Sequence, residues 1–172
     1  MANYFKKVSL DNYEIGLRLS FPEVSKIFLR YGLVNIYNEL KLPKRATKGS
    51  AGYDFFAPFD IEIKAGETVK FPTGYRVHLD DDKFLMIVPR SGLGFKYRCQ
   101  LDNTVGIIDS DYYYSDNEGE MWIKLTNDSR EGKTIHIPKG TAYAQGIILS
   151  FFKTDDDFSD GIRNGGFGSS TK

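Results

Sequence analysis

A chain of 172 residues has room for one sizeable hydrophobic core, and 23 Lys and Arg set against 23 Asp and Glu leave it without net charge, which excludes the broad basic field that duplex nucleic acid or anionic lipid requires. A single cysteine, Cys99, excludes an internal disulfide and a zinc site built on several thiolates. No apolar run approaches the roughly 20 residues of a membrane span, and Met1 to Lys7 lacks the apolar stretch of a signal peptide, so the expectation is a cytoplasmic protein (host cytoplasm if its source is viral) with neither nucleic acid nor membrane as partner.

Residues 1–33 read differently from the rest. Phe21, Val24, Ile27, Phe28 and Tyr31 recur at spacings of three, four and seven, which predicts a short amphipathic helix over about 21–31. Ser20 and Glu23 have capping-box spacing, Pro22 suits a first turn, and Gly32 is placed to end the helix. Tyr4 to Leu10 and Tyr13 to Leu19 read as strand or loop, and the whole segment as a packing or oligomer-contact extension without a catalytic motif.

The β-rich core is expected over 34–158, and from Leu40 onward the period falls to two. Ile61 and Ile63 alternate with Glu62 and Lys64, and Tyr75, Val77 and Leu79 with Arg76 and His78; Trp122 and Lys124 and the run Thr134 to Ile137 continue the alternation. Phe84 to Val88 and Gly146 to Phe152 are nearly continuous apolar runs, as in strands covered on both faces. Turn residues separate these runs at Ala65-Gly66, Pro72-Thr73-Gly74, Asp80 to Asp82 and Pro138-Lys139-Gly140. Short strands at such regular intervals predict an all-β sandwich or barrel, followed over 159–172 by a flexible Gly- and Ser-rich arm.

Four segments carry groups that could do chemistry. Ala51-Gly52-Tyr53-Asp54 sets a carboxylate beside a glycine, suited to a metal-bound water, to an arginine, or simply to a turn. Pro89-Arg90-Ser91-Gly92-Leu93-Gly94 offers a guanidinium, a hydroxyl and glycine amides, the donors a phosphate needs, and reads otherwise as a glycine turn with a surface arginine. Asn103 to Tyr112 is a hairpin-like stretch ending in Asp109, Asp111 and Tyr112, where a carboxylate could activate water or cap a turn. Arg163 to Ser170 places Phe167 in a tail able to stack on a base. His78 and His136 are far apart, Asp155 to Asp157 lacks the spacing of a calcium loop, and Cys99 has no flanking histidine.

Together and in this order, these segments resemble the five-motif signature of the dUTP pyrophosphatases, the homotrimeric deoxyuridine triphosphate nucleotidohydrolases. Ala51 to Asp54 resembles the first motif, Pro89 to Gly94 the second, Gly106 to Tyr112 the third, Gly140 to Gln145 the fourth and Gly165 to Ser169 the fifth. The resemblance implies a distorted jelly-roll, β-barrel-like subunit, a homotrimer with active sites shared between subunits, and Mg²⁺-dependent hydrolysis of dUTP to dUMP and pyrophosphate, which limits uracil in DNA and supplies dUMP for dTTP synthesis. By the same resemblance Asp109 would deprotonate the water that attacks the α-phosphorus. Asn103 would read the uracil edge, helped by backbone groups of the hairpin Leu101 to Ile108, Gly106 and Ile108 among them. Tyr112 would pack on the deoxyribose, and Arg90, Ser91, Gly92 and Gln145 would contact phosphates. Asp54 would hold Mg²⁺ through water, Phe167 would stack on uracil with Gly168 beside it, and Arg163 and Ser169 would contact the terminal phosphate.

Three positions depart from the pattern. Tyr113 to Glu118 intervene before Gly119-Glu120, an insertion of about five residues; Ala142 stands where the fourth motif usually has arginine; and Arg163 lies two residues, not three, before Gly165. A dCTP deaminase shares much of the third motif, but Lys124 falls in the strand where its catalytic glutamate would stand. A trimeric regulator that binds dUTP or a protein is the non-enzyme alternative, and a protein partner would meet residues 1–33 or 113–118.

Overall fold

The computed structural model describes residues 2–163 and 165. Strand β1 (Tyr4–Lys7) leads into helices α1 (Leu10–Ser20), α2 (Val24–Tyr31) and α3 (Leu33–Glu39). The period-two region then supplies β2 (Lys44–Arg45), β3 (Tyr53–Phe56), β4 (Ile61–Ile63), β5 (Thr68–Pro72), β6 (Tyr75–His78) and β7 (Lys83–Pro89). Helix α4 (Ser91–Tyr97) separates β7 from β8 (Cys99–Leu101) and β9 (Gly106–Asp109), and a 3-10 turn (Ser110–Tyr114) precedes β10 (Trp122–Asn127), β11 (Ile135–Ile137) and β12 (Ala142–Ser150).

Strand pairing is antiparallel throughout, in sheets ordered β2-β3-β12-β7-β9, β5-β10-β8, β1-β6 and β11-β4. The five-stranded sheet stays open at β2 and β9, so the mainly β architecture is a set of packed open sheets and not a closed barrel. Alternation decides which face is inside: Leu85 and Ile87 of β7 are buried while Phe84, Met86 and Val88 are only partly covered. Phe71 of β5 meets Tyr143 of β12 edge-on at 5.3 Å, and Phe55 of β3 meets Tyr75 of β6 at 5.6 Å, so aromatic pairs join the sheets through one core. Gly146 lets this happen, since a Cβ there would stand 2.8 Å from Leu85 Cδ1.

The amino-terminal segment departs most from expectation. Residues Tyr13 to Leu19, read as strand or loop, lie in α1, whose Ser9 cap accepts from the Asn12 amide and whose buried face is Tyr13, Gly16 and Leu17. A glycine in that stripe hides the helical period, and its place is explained by packing: a Cβ at Gly16 would lie 2.9 Å from Pro72. The capping box does not form. Ser20 Oγ donates back to the Gly16 carbonyl at 2.8 Å, and Glu23 pairs with Lys26 while making no side-chain cap bond. Gly32 ends α2 as expected, its amide donating to the Phe28 carbonyl at 2.8 Å, but with φ +71 it also opens α3, so the helical run continues to Glu39. Val8, Tyr13, Leu17, Ile36 and Leu40 are buried in the same core as the strands, and β1 pairs with β6 from Tyr4↔His78 to Lys7↔Tyr75. Among the described residues, no helix is long and apolar enough to cross a membrane.

Candidate active site

Two clusters carry the candidate residues, and β7 separates them. At its far end, Arg90 Nη1 forms a 2.7 Å ion pair with Asp54 Oδ2. Asp54 of β3 stands in register with Gln145 of β12, which in turn faces Val88 of β7, so three strands bring Asp54, Gln145 and Arg90 to one end of the sheet. Gly52 permits this closeness, because a Cβ there would collide with the Gln145 side chain. Ser91 and Gly92 are exposed in the first turn of α4, where helix amides lack intrahelical partners. Gly94 does not share that role, since its amide donates to the Arg90 carbonyl at 3.1 Å.

The second cluster lies at the near end. Asp109 closes β9 opposite Phe84, six positions back along β7 from Arg90; at roughly 3.3 Å per residue this places it about 20 Å from the Arg90 backbone. Arg163 bridges the carboxylates here, Nη2 to Asp109 Oδ2 at 2.5 Å and Nε to Asp111 Oδ1 at 2.8 Å. Arg163 thus bridges two carboxylates with one charge-assisted bond to each. Tyr112 is buried beside them, its hydroxyl donating to the Glu120 carbonyl at 2.9 Å, and burial pushes its phenol upward.

Between the clusters, Asn103 is exposed in the turn from β8 to β9, followed by Thr104 at φ +66. The expected hairpin is corrected in one respect. Among the described residues a single bridge, Leu101↔Thr104, joins its arms, because β8 pairs with β10 and β9 with β7 in different sheets. Gly106 faces Ile87 and Ile108 faces Leu85, so the backbone of both sits on the β7 edge. Lys124 is paired with Asp102 at 2.5 Å, immediately beside Asn103. Phe167, Gly168 and Ser169 lie outside the described residues.

Sequence reading passed over a third group behind Tyr112. Glu120 is buried, its Oε2 accepts from Asn12 Nδ2 at 3.0 Å, and its Oε1 has no hydrogen-bond partner among the described residues. Burial pushes its carboxyl up to about 8. The folded state therefore holds a proton that the unfolded chain sheds near its ordinary 4.5, so stability falls as pH rises between these values and levels off above about 8. Glu120→Gln removes that slope. Thermal melts are expected to show the variant gaining on the parent by on the order of 2–4 kcal/mol from about pH 5 to pH 9; parallel profiles for the two proteins would rule the effect out.

The dUTPase family model matches residues 38–171. This chain belongs to the dUTPase family. The deoxyuridine 5'-triphosphate nucleotidohydrolase of Hahella chejuensis is 42% identical over 140 residues, covering 77% of this chain and 88% of that protein. That of Lactococcus lactis is 37% identical over 133 residues, covering 76% and 87%. Among solved structures, the dUTPase from Streptococcus mutans superposes with a TM-score of 0.58 at 34% identity, over 66% of this chain and 88% of its own. The dUTPase from phage phi11 of S. aureus, at 17% identity and a TM-score of 0.61, covers 94% of this chain and 98% of its own, and shows likeness of fold over nearly the whole length. The chain is thus a dUTP diphosphatase, a hydrolase of nucleotide metabolism acting on dUTP.

Proposed function

We propose that the chain acts in the cytoplasm as a homotrimer that hydrolyses dUTP to dUMP and pyrophosphate with Mg²⁺, at sites where the Arg90 cluster of one copy meets the Asp109 cluster of another. The observation that carries this reading is the distance between the two clusters. A triphosphate held by Arg90, Ser91, Gly92 and Gln145 at one end of β7 is out of reach of a base about 20 Å away on the same chain, whereas a head-to-tail ring can bring the two ends of neighbouring copies together.

In that site Asp109 accepts a proton from the attacking water. The new bond forms at the α-phosphorus while the bond to the bridging oxygen breaks, and the electron pair leaves with pyrophosphate. Arg90, Ser91, Gly92 and Gln145 bind and orient the phosphates. Arg163 exchanges its two carboxylates for the terminal phosphate, which frees Asp109 to work as a base; Ser169 joins it there. Asn103 reads the uracil edge with the backbone of Gly106 and Ile108, Phe167 stacks on the base beside Gly168, and Tyr112 packs on the sugar.

The donor set is compatible with Mg²⁺. No cluster of three or more metal-ligating side chains occurs among the described residues, and Mg²⁺ characteristically keeps several waters while relying on substrate phosphates and one or two carboxylates. Asp54 would hold it through water, a role supported by its 2.7 Å ion pair with Arg90. The ion would neutralise charge on the phosphate oxygens. Removal of dUTP would limit uracil in DNA, and the dUMP released would supply dTTP synthesis.

The test is incubation with Mg²⁺ and, separately, dUTP, dCTP, dTTP and UTP, with chromatography of nucleotides and pyrophosphate. Selective conversion of dUTP to dUMP is the expected result. Loss of dCTP would replace this reading with the deaminase, and saturable dUTP binding without product would leave a regulator.

A further inference from the structure

The insertion Tyr113 to Glu118 is packed against Tyr112 and tied to the start of the chain. Asn117 Nδ2 donates to the Tyr112 hydroxyl at 2.8 Å and to the Glu120 carbonyl at 3.1 Å, so the phenol end of the ring is gripped from behind. The loop cannot drift from this position easily. Gly119, at φ +67, lies so close to Tyr112 that a Cβ would stand 2.6 Å from the Tyr112 carbonyl oxygen. Glu118 accepts from the Ser9 amide at 2.8 Å and the Ser9 hydroxyl at 2.5 Å, which places its carboxylate on the cap of α1. Arg76 donates to the Tyr113 and Glu118 carbonyls at 3.4 and 3.2 Å, and its guanidinium lies 4.3 Å over the Tyr113 ring. Tyr4 of β1 stacks on His78 at 4.9 Å, and both meet the same Tyr113 ring edge-on.

We propose that Asn117 is a positioning residue that fixes the Tyr112 ring against the sugar, and that the amino-terminal segment holds Asn117 in place through the Ser9–Glu118 clamp. Ribose differs from deoxyribose by one hydroxyl, and an apolar wall rejects an added hydroxyl only modestly. A wall that can tilt rejects it less. Holding the ring at both its backbone and its hydroxyl makes the wall stiff, the condition for a site to discriminate on small differences in shape. The inference rests on the reading of Tyr112 as the sugar-facing ring.

The measurement is the ratio of the UTP inhibition constant to the KM for dUTP, taken on the full-length protein. Asn117→Ala is expected to lower this ratio about three- to tenfold, the worth of one hydrogen bond. Tyr112→Phe, which deletes only the hydroxyl that Asn117 grips, is expected to lower it by a similar factor, and the double variant to be no worse than either single one. Glu118→Gln weakens the clamp and should move the ratio in the same direction by less. A loop that only stabilised the fold would reduce the active fraction and leave the ratio untouched. An unchanged ratio in Tyr112→Phe, or losses that multiply in the double variant, would overturn the role of Asn117. A parent protein that binds UTP as well as dUTP would overturn the reading of Tyr112 and this inference with it.

Discussion

Asp109→Asn is expected to lose on the order of 10²–10⁴ in dUTP turnover, the usual contribution of a positioned general base, while binding the nucleotide with little change. The substitution keeps the size and the backbone of the β9 end, so the pairing of Asp109 with Phe84 and the geometry of Tyr112 should persist. What it removes is the carboxylate that can take a proton from water. It also removes one of the two charges that hold Arg163, leaving the 2.8 Å bond to Asp111. Pyrophosphate release at saturating dUTP gives the turnover, and calorimetry with the same variant gives the affinity. A variant that turns over at close to the parent rate would remove Asp109 from the chemistry.

Arg90→Ala should be similarly inactive for a different reason, since it takes away the guanidinium proposed to orient the phosphates and leaves the Asp54 carboxylate without its 2.7 Å partner. The two defects lie in different clusters. If each site takes one cluster from each of two neighbouring copies, then unfolding and refolding an equal mixture of Asp109→Asn and Arg90→Ala chains generates intact sites. Random assembly in a ring makes about a quarter of the sites intact, so the mixture should regain about that fraction of the parent activity from two nearly inactive proteins. A mixture that stays at the level of its components would show that both clusters serve one chain's own site.

How much of this was legible in the sequence depends on how far apart the interacting residues lie. The strands were legible because alternation is local: Ile61 and Ile63 or Tyr75 and Val77 announce a buried face within a few residues. Motif residues such as Asp54, Arg90 and Gln145 could be named from the resemblance, yet nothing local says that β3, β12 and β7 lie side by side and bring them together. Helix α1 was hidden by Gly16, whose reason for being in a buried stripe is Pro72, far along the chain. The supposed hairpin misled because the turn at Leu101 to Thr104 is tight while its two strands leave for different sheets. The group behind Tyr112 left almost no signal. Ser9 with Glu118, and Asn12 with Glu120, are separated by 109 and 108 positions, and only the Ser9 cap of α1 has a local signature.

The pairing of β1 with β6 has a consequence for how the molecule is made. Tyr4 finds its partner only when His78 exists, so β1 waits for a segment synthesised well after it. Meanwhile α1 through α3 stand without the sheet that covers Tyr13, Leu17 and Ile36, and a chain halted before β6 would present these side chains to water. Long-range pairing of this kind slows folding and lengthens the exposure of sticky surface. The run from β1 to α3 is therefore translated well before the strands that secure it.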